Sequence, residues 1–220
     1  MTTTYPLTRQ NRIRQLKRKG RYDRETVARV LRAGRVAQVG FVEDGAPVVV
    51  PMIYGLDGDT VYLHGARKAR IVRLLEQTER ACVNVTLLDA VVLARSAFNS
   101  SMNYRSVTLY GRPRLLEARD EKIAALRVIS EHTMPGRWSE LRPPHEREVK
   151  MTGVVALGIE TASAKISAGM PDDDPEDYEI PVWAGILPLS TVFGTLQDDG
   201  RLHEGVEPSE AVLSLQHGRL

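Results

Sequence analysis

The chain has 220 residues, 42% of them hydrophobic and 26% charged, with a formal net charge of +2. That is enough chain for one sizeable domain with a hydrophobic core. No apolar run reaches the roughly 18 residues of a membrane span, and Met1 to Arg24 has no apolar stretch of the secretory kind. The single cysteine, Cys82, has no partner for an internal disulfide, so the expectation is a cytoplasmic protein without membrane attachment. So small a net charge does not by itself argue for nucleic acid, which is not the expected partner.

The charge is unevenly spread. From Arg9 to Arg24, Arg9, Arg12, Arg14, Lys17, Arg18, Lys19, Arg21 and Arg24 stand against the single acid Asp23, and residues 1–22 read as a basic arm. Such an arm reads either as an anion or nucleic-acid binder or as a solvated segment that frays or packs on a partner subunit. Asp23, Glu25, Val27, Val30 and Leu31 then predict a short helix, capped near Asp23 and stopped at Gly34. The period changes to alternation: Val36–Val42 reads as a strand, Glu43-Asp44-Gly45 as a hairpin turn, Pro47–Tyr54 as the returning strand. A second turn at Leu56-Asp57-Gly58-Asp59 leads into a third strand, Thr60–His64.

Arg67–Gln77 reads as a short amphipathic helix with Ile71, Leu74 and Leu75 on one face. Two strands, Ala81–Leu87 and Val91–Ala97, a loop at Asn99–Asn103 and a long strand Ser106–Leu116 interrupted at Gly111 follow. Glu121–Thr133 predicts a helix and Val154–Ile159 another strand. Asp172, Asp173, Asp174, Glu176, Asp177 and Glu179, interleaved with prolines, read as an acidic loop. Trp183–Pro188 reads as a packed crossing segment, and a helix or loose tail is expected around Ser209–Gln216. The expected class is α+β, mainly β: an antiparallel barrel with short flanking helices over residues 23–190, then a tail over 191–220. A doubly wound parallel sheet is excluded by the lack of strand–helix alternation and of a glycine-rich first turn.

Two places concentrate polar chemistry. In His64-Gly65-Ala66-Arg67-Lys68-Ala69-Arg70 a strand ends and a helix opens among cations, which oppose the helix dipole. Backbone N–H groups and guanidinium forks at such a turn suit a phosphate; the alternative is a solvated basic face. Ser101–Val107 brings polar groups to the start of an apolar strand. It reads equally as a contact for a polar ring system or as a loop in which Asn103 and Arg105 tie adjacent strands. His64 is a candidate acid–base residue or a hydrogen-bonded structural one. No histidine pair has ligand spacing, so no metal site is expected. Cys82, flanked by Ala81, Val83 and Val85, reads as a buried small hydrophobe.

Pro51-Met52-Ile53-Tyr54, Val61–Ala66, Val85–Asp89, Ser101–Val107 with Gly111, and Trp183-Ala184-Gly185-Ile186-Leu187-Pro188 together resemble the pyridoxamine 5′-phosphate oxidase-like flavoproteins. The branch most resembled is that of the nitroimidazole-resistance proteins, over roughly residues 20–190. The resemblance implies a split β-barrel homodimer holding FMN in grooves at the subunit interface, with a small-molecule substrate and reduced nicotinamide, NAD(P)H, as partners. Carried over by position, Pro51, Met52, Ile53 and Tyr54 lie along the flavin ring. Leu63, His64, Ala66, Arg67 and Arg70 surround the ribityl phosphate, Ser106 and Val107 approach from a neighbouring strand, and Trp183 closes the pocket. His64 is the implied catalytic residue. The implied activity is that of an FMN-dependent oxidoreductase; the alternative is a non-catalytic flavin or haem carrier or sensor on the same barrel. The branch often has histidines just before Ser-Met-Asn-Tyr-Arg, where this chain has Asn99 and Ser100. The C-terminal substrate-phosphate signature of the true oxidases has no counterpart in Leu202–Leu220, so vitamin B6 oxidation is not the expected reaction.

Overall fold

Helices and hairpins begin where the sequence supplies a cap or a turn. In the computed structural model, which describes residues 3–218, the elements are in chain order β1 (Gly20–Arg21), α1 (Arg24–Ala33), β2 (Val36–Glu43), β3 (Ala46–Asp57), β4 (Thr60–Ala66) and α2 (Arg70–Gln77). They continue with β5 (Ala81–Leu93), β6 (Ser101–Gly111), β7 (Pro113–Leu115), α3 (Arg119–Thr133) and α4 (Glu146–Met151), then β8 (Thr152–Gly158), β9 (Thr161–Ser167), β10 (Gly185–Pro188) and α5 (Glu210–His217). The Asp23 side chain accepts a hydrogen bond from the Thr26 N–H and so caps α1. This bond holds the Asp23 carboxyl below its ordinary range. Asp44 and Gly45 both take positive φ, 50° and 79°, which is the geometry a two-residue hairpin between β2 and β3 requires.

Two compact units are present: the residues up to Gly34 with Val83–Tyr110 and Glu160–Ser190, and Arg35–Cys82 with Gly111–Ile159 and the residues from Thr191 on. In the first, the strands run in the order β1-β9-β6-β5, with β10 antiparallel to β5. Helix α1 buries Val27, Val30 and Leu31 and packs on β9, whose Ala162 and Ala164 are fully buried. Small side chains let the helix approach the strand closely, but they erase the bulky alternation by which a strand is recognised in sequence. Accordingly β9 is an element the sequence reading lacks.

The basic arm is anchored at Tyr5 and Asn11, while Arg9, Arg12, Arg14, Lys17, Arg18 and Arg21 are exposed. Asn11 is 2% exposed; it accepts from the Thr8 N–H (2.7 Å) and donates to the carbonyls of Pro6 (2.9 Å) and Ala162 (3.0 Å). The Tyr5 N–H donates to Tyr22 O, and the Arg24 guanidinium lies over the Tyr5 ring at 4.3 Å. A buried amide that satisfies two backbone groups of the arm and one of β9 ties the arm to that strand. The acidic loop is anchored too: the Asp173 carboxylate, fully buried, pairs with Arg95 at 3.0 Å and accepts from its N–H.

The second unit carries the antiparallel order β2-β3-β4-β8-β7, with α3 packed on β3. Gly55 permits this contact, since a Cβ there would lie 2.7 Å from the Ile129 nitrogen. Leu116, Ala125, Val154 and Ala156 form a buried cluster under Tyr62 and Leu126. Ser209 caps α5 through the Val212 N–H and donates to Glu140 (2.8 Å), so the tail ends in the helix expected near Ser209.

Several boundaries differ from those expected. Ala81–Leu93 is one strand where two were read, because Asp89 stays in the ladder, its carboxylate held by Arg105 and its carbonyl by the Leu189 N–H. Strand β6 starts at Ser101 rather than Ser106 and ends at Gly111. Helix α2 starts at Arg70, three residues later than read. Cys82 is only half-buried, on the strand face opposite Ala81 and Val83, which corrects its reading as a core hydrophobe. Residues 1, 2, 219 and 220 of the arm and tail lie outside the described residues.

Candidate functional site

In the second unit, β3, β4 and the turn into α2 gather most of the residues singled out for a cofactor. Tyr54 on β3 pairs with Leu63 on β4, and both are fully buried. The Tyr54 ring packs on His132 with ring centroids 4.7 Å apart, and burial pushes its phenol pKa upward. Met52 is nearly buried, whereas the alternate positions Pro51 and Ile53 point outward, Ile53 being 42% exposed. Strand alternation thus offers any bound ring the Pro51 and Ile53 side of β3.

His64 lies opposite Val154 on β8, half-buried, with no described partner for its buried Nδ1. Desolvation lowers its pKa, which keeps the imidazole neutral at pH 7. A buried ring nitrogen without a partner is an uncommon state for a structural histidine. Beyond it, Gly65 and Gly153 lie against Val72, so the first turn of α2 sits close on the strand ends.

The turn Ala66–Arg70 is built from backbone bonds: Arg67 N–H to Met151 O (2.7 Å) and Ala69 N–H to Ala66 O (2.8 Å). No side chain caps α2, so its leading N–H groups have no capping side chain to accept from them. The basic side chains already have anions, however. Arg67 contacts Glu76 at 3.3 Å and Glu117 at 3.8 Å, and Arg70 forms a two-point pair with Glu43. Their presence beside a helix N-terminus therefore has a local explanation that the sequence argument did not contain. These pairs are solvent-exposed and individually weak, so they are exchangeable for a more highly charged oxyanion. Lys68 is exposed and makes no ion pair among the described residues.

Ser106, Val107 and Trp183 belong to the first unit. Val107 is fully buried. Ser106 sits in a polar ladder: the Asn84 amide donates to Ser106 Oγ (3.2 Å), Val107 O (3.0 Å) and Thr108 Oγ1 (3.0 Å), and the Thr86 hydroxyl to Ser106 Oγ (3.0 Å). Asn84 and Thr86 were not singled out from sequence, where they read as polar positions on an ordinary strand. Arg105 makes a bidentate pair with Asp89, and the Asn103 amide donates to Gly169 O (2.9 Å). Of the two readings of Ser101–Val107, cross-strand ties account for these two side chains. Trp183 is 69% exposed, its ring standing over Gly185.

Among the described residues, no three His, Cys, Asp or Glu side chains group as a metal would require, and no helix is long and apolar enough to cross a membrane. No curated protein matches the chain. Among solved structures, the flavocytochrome Anf3 from Azotobacter vinelandii is 38% identical, with a TM-score of 0.89 over 94% of this chain and 97% of that one. The FAD and heme binding protein from Mycobacterium smegmatis is 36% identical, with a TM-score of 0.87 over 91% of this chain and 98% of that one. A putative 5-nitroimidazole antibiotic resistance protein from Bacteroides thetaiotaomicron shares the fold at 22% identity, with a TM-score of 0.58 over 67% of this chain and 86% of that one. The fold class is the antiparallel split β-barrel with short flanking helices. The family model for pyridoxamine 5′-phosphate oxidase matches residues 23–166, and the chain belongs to that family.

Proposed function

We propose that this chain binds a flavin and acts as a flavin-dependent oxidoreductase on a small molecule. The observation that carries the reading is likeness at 38% and 36% identity, over more than nine-tenths of the chain, to proteins named as a flavocytochrome and as an FAD and heme binding protein. The β3–β4–α2 corner fits a flavin on its own terms. It has an outward apolar strand edge at Pro51 and Ile53 and an uncapped helix start. Exposed cations stand beside that start, and the buried Nδ1 of His64 lacks a partner.

In this reading Arg67, Lys68 and Arg70 hold the phosphate that ends the ribityl chain, together with the first N–H groups of α2. FMN and FAD both present that phosphate. FMN is the flavin the sequence resemblance implies; the name of one relative supports FAD. Bound flavin supplies hydride and electron transfer between a reduced nicotinamide and a small acceptor. His64, held neutral by burial, would offer its unpartnered ring nitrogen as a hydrogen-bonding group beside the bound cofactor. Ser106, Val107 and Trp183 enter the reading on the resemblance alone.

The proposed partner is a second copy of the chain. Val36, Val42, Val49 and Ile53 are 47%, 66%, 63% and 42% exposed on one face of the β2–β3 pair. An apolar face of that kind on an isolated chain supports association. A second reading, a flavin- and haem-carrying electron relay, is favoured by the names of the two relatives. One experiment separates the two: record the visible spectrum of the purified protein, then add NADH or NADPH anaerobically. Bleaching of a flavin band supports the oxidoreductase, a Soret band with flavin left oxidised supports the relay, and a colourless protein that takes up neither cofactor refutes both.

A further inference from the structure

The basic arm has no part in the function proposed above, yet the fold holds it over a cavity. In the first unit a hollow of about 520 Å³ is lined by Arg18, Lys19, Asn99, Ser101, Asn103 and Asp172, with apolar wall from Val92, Ile166 and Met170. That volume lies in the range of small-molecule sites. Leu16 adopts left-handed backbone (φ 52°, ψ 52°), a conformation unfavourable for a leucine. It turns the chain into the one-turn helix Lys17–Lys19 at the rim. Lys19 Nζ donates to Ser167 Oγ at 2.8 Å, which aims the ammonium while leaving two of its three donors unused. The Arg18 side chain makes no ion pair among the described residues, and the buried Asn99 Nδ2 has no hydrogen-bond partner there. Strained backbone, an aimed ammonium, an unpaired guanidinium and an orphaned amide donor converge on one hollow. The last three are donors or cations, and together they favour an anionic ligand.

We propose that this cavity is a second small-molecule site, separate from the flavin corner, and that it takes a phosphate- or carboxylate-bearing organic molecule. Two cations, Arg18 and Lys19, stand against the single acid Asp172, which favours a ligand of one or two negative charges. Asp172 suits a hydroxyl or ammonium on the same ligand, and the Val92, Ile166 and Met170 wall suits a short carbon skeleton.

The test is an amide-shift NMR titration of the whole protein with inorganic phosphate and with glycerol 3-phosphate, at constant ionic strength balanced with chloride. The expected result is saturation at millimolar concentration, with shifts centred on Lys19, Asn99, Asn103 and Ser167 and tighter binding of the organic phosphate. Arg18→Gln, which removes no intramolecular side-chain bond, should weaken that binding about tenfold, one lost charge-assisted contact. Lys19→Gln should do at least as much, while Arg14→Gln leaves it unchanged. Shifts that rise linearly without saturating, or saturation that survives Arg18→Gln unaltered, would overturn the proposal. So would loss of phosphate binding on saturating the protein with FAD, since the cavity would then be part of the flavin site. Because the shifts are read in the first unit, the phosphate titrations and the Arg18 and Lys19 variants give their result whether or not flavin binds at Arg67 and Arg70; only the FAD competition depends on it.

Discussion

Replacing Gly55 with alanine adds one methyl where β3 meets α3. That carbon would lie 2.7 Å from the Ile129 nitrogen, 2.8 Å from its Cα and 2.8 Å from the Val128 carbonyl carbon. All three are helix backbone, so no side chain can rotate away. An ordinary contact of this kind needs roughly 3.4 Å or more, so α3 must retreat by about 0.7 Å along that line. The retreat loosens Ala125 and Ile129, which are 2% and 3% exposed, and the Tyr54–His132 ring contact with them. Overpacking of this sort destabilises by about 1–3 kcal/mol. The stiffer unfolded chain of alanine returns about 0.5–1 kcal/mol. The net expectation is a loss of about 0.5–2 kcal/mol, which lowers the melting temperature by about 1–8 °C for a chain of this size. Calorimetry on Gly55→Ala measures it, with Gly194→Ala, where an added carbon meets nothing within 4 Å, as the neutral control. If Gly55→Ala melts with or above the wild type, α3 is not seated on β3 as described.

Four further outcomes are expected. Arg67→Ala combined with Arg70→Ala should weaken flavin binding tenfold or more in a fluorescence titration, because both guanidiniums are assigned to the phosphate; full retention would remove that assignment. His64 has a folded pKa below its ordinary 6.5, so the unfolded chain binds its proton first, and stability should decline as pH falls through 6.5 until the folded pKa is passed. Urea midpoints between pH 8 and 5 should show that decline shrinking in His64→Gln; an unchanged profile would mean that another group causes it. Asn11→Ala should destabilise by about 1–3 kcal/mol in urea unfolding, because it leaves the carbonyl of Ala162 buried without its donor. Disrupting the buried Arg95 pair with Asp173→Ala should free the loop at residues 171–179, seen as faster proteolysis there than in the wild type.

What was legible in the sequence was local chemistry. Asp44-Gly45 and Gly58 demand turns, Asp23 caps a helix, and the spacing of Val27, Val30 and Leu31 gives it a buried face; each is decided within a few residues. What was not legible depends on distant partners. Thr161–Ser167 is a strand through its pairing with β6, and its residues are small where α1 packs on it; nothing within those seven residues says so. Asn11 looks like one more polar residue of a basic arm until Ala162 arrives beside it. At the candidate site, the residue types and the strand–turn–helix setting of His64 through Arg70 could be read directly. The carboxylates facing the arginines could not, since Glu43 and Glu117 lie 27 and 50 residues away in sequence from Arg70 and Arg67. The start of α2 at Arg70 was obscured for the same reason: Arg67 is held in the turn by Met151, a residue of a later element.

Flavin binding itself is tested most directly by titrating the cofactor-free chain with FMN and with FAD and following flavin fluorescence. The account predicts saturable quenching at one flavin per chain by at least one of the two, abolished or shifted to much higher concentration in the Arg67→Ala, Arg70→Ala double variant. Fluorescence that tracks free flavin throughout both titrations would contradict it.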